Sequence, residues 1–150
     1  KCMKGCCSMT RLTKDEYFMD IARTVAKRST CLDKQVGCVL VNDKGIILST
    51  GYNGAPRGME HCSVCRVAQT HSKNSCPAAH AEQNALLHAM PDDIYACYCT
   101  LEPCVICTRM LMNTACTKVI FGQVTNPIHS GEHLWSEIND STTWQHRPYL

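Results

Sequence analysis

His80-Ala81-Glu82-Gln83-Asn84-Ala85-Leu86 and, further along, Pro103-Cys104-Val105-Ile106-Cys107 each stand at the head of an apolar run. Ala81, Ala85, Leu86 and Ala89 recur at helical spacing, and Pro91 is expected to stop that helix. Pro103 suits the first turn of a second helix, where its missing N–H costs little, and Val105, Ile106, Met110 and Leu111 supply an apolar side. Residues 94–100, rich in Tyr and Cys, read as a buried strand between the two helices. Both stretches therefore fall where a strand or loop hands over to a helix N-terminus.

Outward from this centre the pattern continues. Thr13-Lys14-Asp15-Glu16 is a capping box, and Tyr17, Ile21, Ala22 and Val25 follow at helical spacing, which predicts a first helix to about Arg28. Val36-Gly37-Cys38-Val39-Leu40-Val41 and Ile46-Ile47-Leu48-Ser49-Thr50 flank an Asn42-Asp43-Lys44-Gly45 turn, a hairpin signature. Residues 52–79 carry no sustained period but hold His61, Cys62, Cys65, His71 and Cys76; so long a loop in a compact domain asks for something to tie it down, and a metal would. Residues 117–121 read as another strand, residues 132–138 as one or two helical turns, and residues 142–146 as a short final strand. The order is that of an α/β protein: a mixed sheet with an antiparallel first hairpin and parallel later strands joined through helices.

At 150 residues the chain fits one domain, able to bury roughly 70% of the surface its unfolded form exposes. Residues 1–12 read as a flexible end and residues 123–150 as an extension. The formal net charge is +2 with fifteen Lys and Arg scattered along the chain, which argues against a large phosphate-backbone footprint and leaves room for a small anionic ligand. Thirteen cysteines is an odd count, and Lys1-Cys2-Met3-Lys4-Gly5 starts no apolar export region. No stretch approaches the ~20 apolar residues of a membrane span. These features predict a cytoplasmic protein with reduced thiols, with Cys2, Cys6 and Cys7 read as part of the flexible end or as an extra metal clip.

His80, Cys104 and Cys107 offer one imidazole and two thiols. Three such ligands suit a zinc that keeps a fourth position open for water, whereas a structural zinc closes with four, here with Cys97 or Cys99. Two cysteines three positions apart reach one metal from a single helical turn, and the helix N-terminus favours their thiolate forms. Glu82, two residues past His80, then handles protons; in the closed reading it is only a favourable acid in a first turn.

The pairing of H-x-E with P-C-x-x-C, together with most of the chain from about Tyr17 to Gly122, resembles the deoxycytidylate (dCMP) deaminase family of the cytidine deaminase superfamily. The resemblance implies a three-layer α/β/α sandwich and zinc-dependent hydrolytic deamination of dCMP to dUMP and ammonia, with Glu82 as proton carrier. Gly51-Tyr52-Asn53-Gly54-Ala55-Pro56-Arg57-Gly58 reads alone as a Gly/Pro/Asn turn. It resembles the family's nucleotide loop, which implies that Asn53 contacts the deoxyribose and that Tyr52, Asn53, Gly54 and Arg57 border an allosteric nucleotide site. Arg28-Ser29-Thr30-Cys31 resembles the segment after the family's first helix, making Arg28 and Ser29 candidates for the 5′-phosphate; a solvated helix-end charge is the competing reading of Arg28.

The same likeness implies a second, structural zinc on Cys31, Cys62, His71 and Cys76, with His61 and Cys65 as competitors. It further implies a homo-oligomer, commonly a hexamer, activated by dCTP and inhibited by dTTP with Mg²⁺. One departure is Thr100-Leu101-Glu102-Pro103-Cys104, which resembles the tRNA adenosine deaminases and keeps an RNA-editing alternative open. A non-enzymatic, zinc-stapled interaction module accounts for the cysteines but leaves Glu82 and the glycine loop idle.

Overall fold

The computed structural model describes residues 10–138 and 141–148. The readings made for Cys2, Cys6 and Cys7 lie outside the described residues. The capping box forms as the sequence predicts: the Thr13 N–H donates to Glu16 Oε2 and the Glu16 N–H to Thr13 Oγ1, starting helix α1 (Lys14–Ala26). Its core-facing side is Phe18, Met19, Ala22 and Ala26: of the expected Tyr17, Ile21, Ala22 and Val25, Ala22 is fully buried and Ile21 packs at the edge of the core, while Tyr17 is half exposed. The small Ala22 and Ala26 face the sheet because only short side chains let the helix lie this close to it.

Strand β1 (Gly37–Val41) and strand β2 (Ile47–Tyr52) form the expected antiparallel hairpin. The long connection that follows is not structureless: it carries helix α2 (Arg66–Thr70) and a 3-10 turn, Lys73–Ser75. It closes where Gly54 and Ala79 exchange backbone hydrogen bonds of 3.1 and 2.9 Å. Helix α3 (Ala81–Leu86) ends earlier than Pro91, because its last turn tightens into short-range bonds from His88 N–H to the Ala85 carbonyl and from Ala89 N–H to that of Leu86. Strand β3 (Ala96–Leu101) leads to helix α4 (Val105–Met112), followed by strand β4 (Lys118–Gln123), helix α5 (Glu132–Trp135) and strand β5 (Thr143–His146). Pro103 precedes the α4 cap rather than sitting in its first turn, since Cys104 is still extended (φ −74°, ψ 167°).

The strand order is β2-β1-β3-β4-β5. The β2-α3-β3 connection steps over β1, so β3 pairs antiparallel with β1 while β3-β4 and β4-β5 pair parallel. The period of two then sorts the core into two layers. Val39, Val41, Ala96, Tyr98 and Ile120 pack with α1 on one face. Cys38, Leu40, Cys97, Cys99, Val119 and Phe121 pack on the other with Ala81 and Ala85 of α3, Leu111 of α4 and Trp135 of α5. This is a three-layer α/β/α sandwich, and both motif-bearing helices lie on the same side of it.

Candidate metal and catalytic site

Helix α3 is seated by contacts that its sequence partner β2 supplies. The Ser49 hydroxyl donates to the Ala85 carbonyl at 2.7 Å, and Asn84 Nδ2 donates to the Tyr52 carbonyl at 2.7 Å. Between them Gly51 leaves no room for a side chain, because a Cβ would overlap the Ala81 carbonyl and the Ala85 amide. The start of α3 is thereby fixed. His80 is its N-cap, and the His80 N–H donates to Gln83 Oε1 at 2.8 Å. Gln83 escaped sequence reading because His is not a usual cap, although Gln at the third helical position is half of a capping-box signal.

Cys104 caps α4 and Cys107 lies one turn on. The two sulfurs stand 3.5 and 3.4 Å from His80 Nδ1, and the three donor atoms lie within 4.8 Å of one another. This is the only such group among the described residues. Cys97 and Cys99 lie outside it, with Cys97 Sγ 3.6 Å from Cys38 Sγ on the sheet, so the closed reading finds no fourth protein ligand among the described residues. All described cysteines are free thiols.

The electrostatics suit a cation. The Cys104 thiol is pulled down to about 3, chiefly by its hydrogen bond with Cys107, against the opposing effect of burial and with His80 assisting. The Cys107 thiol is pushed up, first by Cys104 and then by burial. A thiol drawn toward its thiolate form, one helical turn from a second thiol and beside an imidazole, makes a ligand set for a soft divalent ion. Imidazole with two thiolates is a donor set that zinc accepts. Glu82 is buried, 4% exposed, and stands outside the donor group. Burial is the main influence on its carboxyl and raises it; its own backbone N–H, His80 and Cys107 pull the other way and Cys104 adds to the rise. A carboxyl so placed keeps a proton closer to neutral pH, as proton transfer in catalysis requires.

The loop of residues 51–58 comes to the same region through the Gly54-Ala79 bridge, next to His80. Asn53 is buried: its Oδ1 accepts from Val36 N–H at 2.8 Å and from the Ser29 hydroxyl at 2.6 Å, and its Nδ2 donates to the Lys34 carbonyl at 2.7 Å. The Ser29 hydroxyl donates to Asn53 Oδ1 and accepts from the Cys31 N–H, which ties the segment after α1 to the glycine loop. Arg28 is exposed, with no side-chain hydrogen bond among the described residues. A cavity of about 300 Å³, bordered by Tyr52, Gly54, Arg57, His61, Asn84 and His88, opens beside the loop and does not include the metal-ligand group. A smaller one of about 20 Å³ is bordered by Cys31, Cys62, Cys65 and Cys76. His71 is not among its lining residues; it ends α2 in the left-handed conformation (φ 53°).

The chain matches the family model for the cytidine and deoxycytidylate deaminase zinc-binding region over residues 12–123. It belongs to that family. Family relatives include the deoxycytidylate deaminase of Mycobacterium phage D29, 37% identical over 125 residues that take in 75% of this chain and 97% of the phage protein. The deoxycytidylate deaminase of Saccharomyces cerevisiae is 35% identical over 123 residues, covering 77% of this chain and 39% of the yeast protein. The chain thus spans well under half of the fungal relatives it matches. Among solved structures, the dCMP deaminase of cyanophage S-TIM5 in complex with dCMP and dUMP superposes with a TM-score of 0.66 at 26% identity, over 81% of this chain and 89% of that one.

Glu102 is the residue that motif reading placed least well. It is 5% exposed, and its carboxylate accepts from Thr125 N–H (2.9 Å), the Ser130 hydroxyl (2.7 Å) and Trp144 Nε1–H (3.2 Å). No short-range signal announces these partners, which lie 23 to 42 positions away.

Proposed function

We propose that the chain catalyses the hydrolytic deamination of dCMP to dUMP and ammonia. The observation that carries this reading is the buried Glu82 beside a three-donor group that has no fourth protein ligand among the described residues. His80, Cys104 and Cys107 would hold a zinc ion, which would supply Lewis acidity toward the nucleophilic water. Glu82 moves the protons: its carboxylate takes one from the water as oxygen bonds to C4 of the cytosine ring. It passes that proton to N3, then takes the second proton from the new C4 hydroxyl and passes it to the amine as the C4–N4 bond breaks and C4=O forms. Water enters and ammonia leaves.

The choice of a deoxycytidine nucleotide is supported by the relatives from phage D29 and yeast, both deoxycytidylate deaminases, and by the dCMP and dUMP bound to the S-TIM5 enzyme. In this reading Asn53 contacts the deoxyribose, Arg28 takes the 5′-phosphate in a guanidinium fork, and Ser29 acts behind them by holding Asn53. The cavity bordered by Tyr52, Gly54 and Arg57 is read as the regulatory site for dCTP, or for dTTP with Mg²⁺. A second, structural zinc is read on Cys31, Cys62 and Cys76, completed by His71 or by Cys65, and Cys65 is favoured by its place in the small cavity. The chain acts as one domain in a homo-oligomer, a hexamer by family resemblance, in a cytoplasm whose reducing state suits the free thiols. No described helix is long and apolar enough to cross a membrane.

The test is ammonia release over dCMP, dCTP, deoxycytidine and a tRNA anticodon arm. Turnover of dCMP is expected; release from the RNA alone would overturn the proposal.

A further inference from the structure

Glu102 presents a physical puzzle. A buried carboxylate is expensive to keep, and among the described residues this one has no ion-pair partner. All three of its donors come from beyond Gln123, outside the stretch that matches the family model. They form a connected set: the Glu132 N–H donates to Ser130 Oγ, Ser130 donates to Glu102 Oε1, and Trp144, which packs on Phe121 and Trp135, donates to the same oxygen while the Thr125 N–H donates to Oε2. The Glu102 N–H also donates to the Gln123 carbonyl at 2.8 Å.

The same segment lies directly against the ligand loop. Ser130 forms a β-bridge with Cys104, and the Gly131 N–H donates to the Pro103 carbonyl at 3.2 Å. Gly131 is required there, since a Cβ would run into the Thr108 side chain of α4. Cys104 needs such support: it makes no side-chain cap bond to its own helix, and its extended backbone sits at the point where the chain turns from loop to helix.

We propose that Glu102 is a positioning residue for the metal. By gathering Thr125, Ser130 and Trp144 it clamps the C-terminal segment over Pro103-Cys104 and fixes the Cys104 sulfur toward His80. The inference rests on the reading of His80, Cys104 and Cys107 as zinc ligands. It also gives Glu102 in the Thr100 to Cys104 stretch a task unrelated to which base the enzyme accepts, so that the likeness to RNA-editing enzymes there says nothing about substrate.

The test is zinc affinity of the full chain by chelator competition, with Co²⁺ absorption as a reporter of thiolate geometry. Glu102→Ala is expected to weaken zinc by about 10- to 100-fold, the usual effect of removing an outer-shell partner, and to weaken the cobalt–thiolate band. Glu102→Gln should recover most of the affinity, because its amide oxygen can still accept from Ser130 and Trp144. Asp15→Asn, on the opposite face of the sheet, controls for general loss of stability: it should lower the thermal midpoint and leave zinc affinity unchanged. Wild-type affinity in Glu102→Ala, or an equal affinity loss in Asp15→Asn, would overturn the clamp. Should Glu102→Ala fail to fold, Ser130→Ala and Trp144→Phe each remove one donor and must each weaken zinc by a smaller factor; unchanged affinity in both refutes it. If wild-type protein binds no zinc that His80→Ala abolishes, the ligand assignment itself fails.

Discussion

The Ser29 hydroxyl lies 2.6 Å from Asn53 Oδ1 and 2.8 Å from the Asn53 carbonyl, tying the end of α1 to the glycine loop 24 positions away. Asn53 also bridges Lys34 and Val36, so one amide organises three backbone segments beside His80. Ser29→Ala is expected to cost about 1 kcal/mol of stability, one net hydrogen bond. It should raise KM for dCMP more than it lowers kcat, since the sugar contact loosens while Glu82 is untouched. Denaturant midpoints and initial rates check both; an unchanged KM would detach Ser29 from substrate binding.

Glu82 and the metal should separate cleanly. Glu82→Ala is expected to retain its zinc and a normal thermal midpoint while losing about 10²- to 10⁴-fold in kcat, the usual share of a positioned proton carrier. Near wild-type turnover would remove Glu82 from the mechanism. Elemental analysis of gently purified protein should find two zinc ions per chain, and one per chain would refute the site at Cys31, Cys62 and Cys76.

Arg28 tests the phosphate end. Arg28→Gln should lower kcat/KM for dCMP by about 10- to 100-fold, as expected for a charge-assisted bidentate contact, and leave deoxycytidine nearly unaffected. Equal losses on the two substrates would assign Arg28 to the fold instead.

Acid stability should depend on Asp15. Burial alone would raise its carboxyl, but the hydrogen bonds from Lys118 (2.7 Å) and Tyr98 (2.6 Å), with the charges of Lys118 and Arg147, outweigh burial and hold it below the usual range. A carboxyl depressed on folding adds stability above its unfolded value of about 3.9, and that stability is lost as pH falls through the folded value. Asp15→Asn should therefore cost about 1 kcal/mol at neutral pH and flatten the decline below about pH 4. Parallel pH profiles for the two proteins would show that Asp15 carries none of it.

What the sequence makes legible follows from how local each signal is. The Thr13-Glu16 capping box, the Asn42-Gly45 turn and the helix start at His80 are written within a few neighbouring residues and form where expected, while α4 starts just beyond the expected Pro103, with Cys104 as its cap. The insertion of β3 between β1 and β4 has no comparable local mark, because strand neighbours are chosen by contacts between distant segments. The side of α1 that faces the sheet is likewise set by what it packs on, hence Phe18 inside and Tyr17 outside. At the site, His80, Cys104, Cys107 and Glu82 are readable from spacing. Glu102 and the inward-turned Ser29 are not, since their meaning lies in partners 23 or more positions away.

The crossover of β2-α3-β3 over β1 has a bearing on the order of events when the chain folds. His80 rides on α3 above β2 and β1, while Cys104 follows from the end of β3, so the imidazole and the sulfurs meet only after β3 has docked beside β1. The ligand group on His80, Cys104 and Cys107 is thus complete only in the assembled sheet, and its metal affinity reports that β3 has found its place.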